Sequence, residues 1–251
     1  MNKKIRAKVK KFYEKPIKNQ AINVLKEELD SLPALIQDYF QKVDLIGKER
    51  IKRVRLSQKG YFKLKPDSNW KPFSAEQYVN TEDWSFLWYA KIKMIPLVNF
   101  HVVDEFIEGR GALKARLFNF ITVVDEEGEK LDQGEFLRFI SEAPWYPSFY
   151  LNEKIVWNTL DERTLELTIK RNHNQISGKI LFDNLGFIEE VTAKRYYTNQ
   201  NNITLEDWHG FYEGYKEFNG ILIPTDFKVC WHLESGNYCY IKGKILNIEF
   251  N

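Results

Sequence analysis

Cysteine is nearly absent, with only Cys230 and Cys239 in a chain of 251 residues. Two thiols are too few for a disulfide framework and fit a reducing compartment, in which small buried cysteines are inert. Histidine is scarce as well: there are four, and His101, His173 and His209 stand in no HExxH or deaminase-like context. No GxSxG elbow, phosphate loop or kinase motif set is present. Gly109 and Gly111 lack the third glycine and following helix that a dinucleotide site needs, so they read as a tight turn. No run approaches the roughly 18 to 20 apolar residues that span a bilayer, and MNKKIRAKVKKFYEK lacks the apolar core of a secretory signal. These absences disfavour the well-marked enzyme classes, give no ground for a metal or cofactor, and predict a cytoplasmic location, at most peripheral to a membrane.

Aromatic residues are the excess: 7 Trp, 13 Tyr and 18 Phe. With 43% hydrophobic residues the chain can build one large core, and all-β domains of this length commonly stay single. The net charge of +2 conceals an asymmetry, because residues 1–66 hold 18 Lys and Arg against 7 Asp and Glu, and the remainder 19 against 28. A basic leading segment either meets an anionic surface or folds back onto its own acidic body. Nucleic acid is disfavoured as a partner. The candidate kept is an anionic membrane surface, met through Lys3, Lys4, Arg6, Lys8, Lys10 and Lys11.

Ile5, Val9 and Phe12 recur at helical spacing among these lysines, predicting a basic amphipathic helix that Pro16 ends. Ile22, Leu25 and Leu29 repeat the pattern, and Pro33 opens a further helix carrying Ile36, Tyr39, Phe40 and Val43. Residues 1–46 therefore read as a helical, basic appendage to a single β domain, 47–251. From Glu49 the hydrophobic period falls from 3.6 to 2, with turn residues recurring between short runs. Strands are expected at 50–58, 60–65, 73–80, 86–94, 100–107, 112–118, 119–125, 163–170 and 221–233, about a dozen in all. Without βαβ alternation there is no parallel sheet, and an antiparallel sheet of that size must curl. The fold class is mainly β (α+β): a strongly curved antiparallel meander, or half-barrel, with one internal helix and a helical N-terminus.

That internal helix is predicted over 133–143, capped by Asp132 with Glu135 answering, and its apolar side, Phe136, Leu137, Ile140 and Ala143, suits the concave face of the sheet. Arg138 and Glu142, four apart, share a face next to Trp145. Either they brace helix against sheet, or Arg138 clamps an anionic group while Glu142 acts as a base. Asp104, on a strand ending in the glycine turn, is a second carboxylate and a candidate partner for Arg138 or Arg195. Centring the last turn on Ser235-Gly236 sets His232 opposite Cys239 with Cys230 diagonal, a zinc-type trio without chelating spacing or a fourth ligand, so no metal is assigned. Trp231, Tyr238 and Tyr240 share the inward face of that hairpin, and Trp208 precedes it. Such aromatics suit either plain core or a pocket for an amphiphilic ligand.

The runs LPALIQDYF, VRLSQKGYFKL, WKPFSAEQY, FLWYAKIKM, D-x-F-x-x-G-x-G and W-x-G-x-Y-x-x-Y, and above all R-F-x-S-E-x-P-W-x-P at 138–147, resemble a family of uncharacterised bacterial proteins, a domain of unknown function. The resemblance covers about residues 32–250 and implies a bacterial origin, but transfers no activity or site residue. The curved meander also looks like the half-barrels of bacterial lipoprotein carriers, a likeness of architecture. The leading reading is a binding protein whose concave face holds an apolar or amphiphilic, lipid-like small molecule, lined by Arg138, Glu142, Trp145, Asp104, Arg195, Trp208, Trp231 and Tyr240. The alternatives are a hydrolase or isomerase using Glu142 or Asp104 with Arg138, and a membrane-surface module acting through the basic N-terminus.

Overall fold

The computed structural model describes residues 3–14, 21–96, 98–118, 120–171, 174–199 and 202–250. Pro16, His173 and the side chain of Lys4 lie outside the described residues. Thirteen strands follow from the alternating pattern: β1 (Arg53–Phe62), β2 (Lys71–Asn80), β3 (Ser85–Ile95), β4 (Val98–Ile107), β5 (Arg110–Leu117), β6 (Ile121–Glu127), β7 (Val156–Thr159), β8 (Thr164–Arg171), β9 (Asn174–Phe182), β10 (Ile188–Asn199), β11 (Asn202–Phe218), β12 (Ile221–Leu233) and β13 (Gly236–Phe250). Three α-helices accompany them: α1 (Lys3–Glu14), α2 (Ala34–Lys42) and α3 (Glu129–Ser141).

All strands join one antiparallel sheet in the order β6-β5-β4-β3-β2-β1-β13-β12-β11-β10-β9-β8-β7. The chain walks outward from β1 to the edge strand β6, crosses through α3 and two 3-10 turns, and returns from β7 to β13, which pairs with β1. Two arms result, β1–β6 and β7–β13. α3 packs on β4, β5 and β6 of the first arm and on β9 and β10 of the second. Since β5 and β10 are second and tenth in the sheet order, the sheet must curl around α3 to touch it from both sides. Among the described residues the edges β6 and β7 do not pair, so the result is a half-barrel, as the alternation and strand number predict.

The concave core holds Phe86, Trp88, Ala90 and Ile92 from β3, Phe106 from β4, and Phe136, Phe139 and Ile140 from α3, all buried. Ile36, Tyr39 and Phe40 of α2, and Val43 just after it, are fully buried in this same core. The opposite residues of β3, Leu87 and Tyr89, are buried too, beneath Ile5 and Phe12 of α1. Thus the apolar stripe of α1 is taken up by the convex face of the first arm, and Lys8 pairs with Glu105 of β4.

Several local expectations are corrected. The stretch carrying Ile22 and Leu25 forms one 3-10 turn, Lys26–Leu29, and both side chains are about half exposed, so their helical spacing found no surface to cover. The runs 50–58 and 60–65 are the single strand β1, because Gly60 is where the backbone of β13 comes close: a Cβ there would lie 2.1 Å from the Lys242 carbonyl oxygen. α3 begins at Glu129, after Gly128 with φ +127, so Asp132 lies within the helix and is not its cap. In the last hairpin the turn falls one residue earlier than expected. Trp231 faces Tyr238, His232 faces Asn237 and Cys230 faces Cys239. That register, with a bulge between Val229 and Cys230, joins the two cysteines in a disulfide in place of the expected free thiols.

Candidate functional site

Alternation sends Asp104 of β4 inward between Val102 and Phe106, and α3 lays Arg138 across it. The Arg138 Nη1 donates to Asp104 Oδ2 at 2.6 Å and its Nε to Glu142 Oε1 at 2.9 Å. The guanidinium also lies 4.7 Å from the Phe86 ring centroid and 5.2 Å from that of Trp88. Burial alone would lower its pKa, but Glu142, Asp104 and Glu135 together outweigh that and raise it, so the charge is fixed. The remaining oxygen of Glu142 accepts from the Gln77 amide on β2, leaving both its oxygens engaged. Such an arrangement suits bracing better than proton abstraction.

One turn earlier on α3, Glu135 accepts from Arg195 Nη2 of β10 at 2.7 Å, so the helix is tied to both arms through arginine side chains. Burial pushes the Glu135 carboxyl up to about 8; Asp104 and Glu142 add to the rise, while Arg195 and Arg138 oppose it. Asp132 joins the same seam, accepting from the Gly111 backbone N–H at 2.7 Å and from Arg110 at 3.0 Å. Gly111 thereby has a purpose beyond a turn, since a Cβ at this position would sit 2.9 Å from the Leu131 carbonyl oxygen of the helix. Three buried acceptors in this layer, Gln77 Oε1, Asp104 Oδ1 and Glu135 Oε2, have no hydrogen-bond partner among the described residues.

Of the residues singled out from sequence, Arg138, Glu142 and Asp104 meet in one cluster. Arg195, Trp208, Trp231 and Tyr240 meet in another: Arg195 lies 5.8 Å from the Trp208 ring centroid, Trp208 Nε1 donates to the Tyr240 hydroxyl at 3.1 Å, and Trp231 stacks beside Tyr240. Glu135 links the two through Arg195. Trp145 belongs to neither. It packs edge-on against Tyr212 and Phe227, and its N–H donates to the Pro224 carbonyl at 3.1 Å.

Sequence reasoning missed a third region. A cleft of about 1560 Å³ opens at one rim, between the first-arm turns at 82–84 and 108 and the second-arm residues 151–159 and 170–171. Its floor includes Trp84, Trp157, Ile155 and Leu32. Trp84 has φ +50, a left-handed conformation rare for so bulky a residue, and is held there by stacking 5.9 Å from Phe136 of α3 and edge-on to Phe149. Lys154 Nζ and the Arg171 guanidinium lie 5.3 and 5.7 Å from its ring centroid. Arg171 is half-buried and donates to the Trp84 carbonyl, and no described carboxylate pairs with it. Its desolvation, only partly offset by Asp83, lowers its pKa. The available signals were faint: Arg171 is the last residue of β8, and Trp84 follows Glu82 and Asp83 in an acidic turn.

The geometry defines a helix-plugged half-barrel, with an ion-paired seam inside and an open cleft at the rim. The chain belongs to the family of unknown function DUF6920, whose model matches residues 30–250. Among solved structures it is similar to a domain assigned to outer membrane lipoprotein sorting from Vibrio parahaemolyticus, at 10% identity and a TM-score of 0.47, covering 80% of this chain and 86% of that one. It is also similar to a LolA superfamily protein from Nitrosomonas europaea, at 11% identity and a TM-score of 0.47, covering 86% and 93%. These likenesses are of architecture alone. No curated protein matches the sequence. No described helix is long and apolar enough to cross a membrane.

Proposed function

We propose that the protein binds an amphiphilic small molecule between the arms of the half-barrel, with its anionic end at Arg171 and Lys154 and its apolar part against Trp84, Trp157, Ile155 and Leu32. The carrying observation is Arg171, a half-buried cation beside an aromatic floor with no described carboxylate at ion-pair distance. Such a group costs free energy to bury and regains it from an incoming anion. Of the acids around the cleft, Glu28 pairs with Arg50, and Asp83 acts on Arg171 only at longer range, outweighed by the desolvation of the guanidinium. In this reading Arg138, Glu142 and Asp104 position α3, whose Phe136 backs Trp84, while Arg195, Trp208, Trp231 and Tyr240 form the far wall of the concave face. The Cys230–Cys239 disulfide supports an oxidising compartment.

Titration of the full chain with dodecanoate and with dodecyltrimethylammonium, followed by intrinsic tryptophan fluorescence, tests the reading. Dodecanoate is expected to bind at least about tenfold more tightly, the equivalent of one modest ion pair. Arg171→Gln should erase that preference. Equal affinity for the two tails, or no binding of either, overturns the proposal.

A further inference from the structure

Three neighbouring connections of the first arm share one end of the sheet, because β1, β3 and β5 all run toward it: those that follow Phe62, Ile95 and Leu117. Unlike ordinary turns, the second and third of these tips present apolar side chains. Phe120 is 75% exposed, Ile95 59% and Phe118 45%, and the two phenylalanine rings stack on each other at 6.1 Å, not on the core. Ile121 and Val123 extend the patch along the edge strand β6. Exposed, clustered large side chains of this kind mark a docking surface.

The charge around the tips selects the partner. Lys91 and Lys93, the outward residues of β3 at this end, are exposed, and Arg116 lies on β5. Lys71 reaches across from β2 to the Met94 carbonyl, 3.1 Å away. In the first connection, Lys63 and Lys242 flank the Trp70 ring at 5.2 and 4.8 Å, a cation-bordered indole at half-buried depth. Asp67 is the only acid in the stretch 63–71. Apolar tips ringed by cations, with an amphipathic Trp beside them, match the vertical profile of a bilayer surface: acyl chains, then the interfacial zone, then anionic headgroups.

We propose that this end of the first arm docks on an anionic lipid surface, with Phe118, Phe120 and Ile95 entering the acyl boundary and the surrounding lysines and Arg116 meeting the headgroups. The surface differs from the expected basic helix, since the apolar side of α1 is already buried on the sheet. It is also independent of the rim cleft, on which no part of it depends.

Co-sedimentation of the full chain with vesicles of phosphatidylcholine, with and without about 30% phosphatidylglycerol, reads the docking directly. Partition to the anionic vesicles is expected to exceed that to neutral ones at least about tenfold, and to fall as salt rises from about 0.1 to about 0.5 M. Phe118→Ser with Phe120→Ser should cut the partition about tenfold without altering the thermal transition, because neither side chain is in the core. A separate Phe120→Trp protein should show a blue-shifted emission quenched by brominated acyl chains. Unchanged partition in the double variant, no quenching, or self-association of the wild type that the same double variant abolishes while vesicles bind nothing, each overturns the proposal.

Discussion

Arg138 and Arg171 are the same side chain in two settings, some 30 residues apart in sequence, with their guanidiniums over the cross-strand neighbours Phe86 and Phe106. Arg138 has two carboxylates at hydrogen-bond distance and two aromatic rings beneath it. Arg171 has similar rings, Trp84 and Phe106, but only a backbone carbonyl to accept from it. The first setting is complete and resists change; the second is incomplete and open to the cleft. Ion pairing thus separates a brace from a candidate binding group more clearly than burial or aromatic surroundings do.

The largest expected effect strikes the brace. Arg138→Met leaves Asp104 and Glu142 buried without their cation and should cost about 3–5 kcal/mol in equilibrium denaturation. A loss below about 1 kcal/mol would mean that the seam is more hydrated than its burial indicates. Next in size is the pH response of Glu135. Its folded pKa, raised to about 8, exceeds the ordinary 4.5, so the native state holds an extra proton between those values. This contribution is fully present below 4.5 and is lost as pH rises through 8. Denaturation midpoints measured from acid to alkaline pH should therefore fall on the alkaline side in the wild type and stay flatter in Glu135→Gln. A parallel pair of curves would refute the burial account. Smallest is Arg171→Gln, expected to change stability by less than about 1 kcal/mol, because no described ion pair is broken. A loss as large as that of Arg138→Met would turn the rim arginine into a second brace and dissolve the contrast.

Part of this was legible beforehand. Arg138 and Glu142 were visible as a pair because four residues is one helical turn, and Asp104 because it interrupts an inward apolar series. Trp231 and Tyr240 met as expected from the inward face of the last hairpin, and Trp208 joins them from β11. Glu135 reads locally as a capping residue, since its real partner, Arg195, lies 60 residues away and no local rule links them. Gln77 carried a usable signal: it sits at an inward position between Ala75 and Val79, where a polar group needs a partner. The cysteine register failed by one residue in the placing of a turn, enough to exchange a histidine for a cysteine across the hairpin.

The sequence by itself determined a long antiparallel meander with a single helix inside it, because period-2 alternation and helix periodicity are local properties written residue by residue. It also determined that Phe136, Leu137 and Ile140 of α3 would be buried, but not Phe139, which is buried as completely. Only the tertiary structure decided that β13 returns to pair with β1, that Glu135 meets Arg195, and that segments from both arms leave a cleft around Trp84. Those outcomes depend on how far the sheet coils as its strands accumulate twist, a sum over the whole molecule that no short window of residues contains.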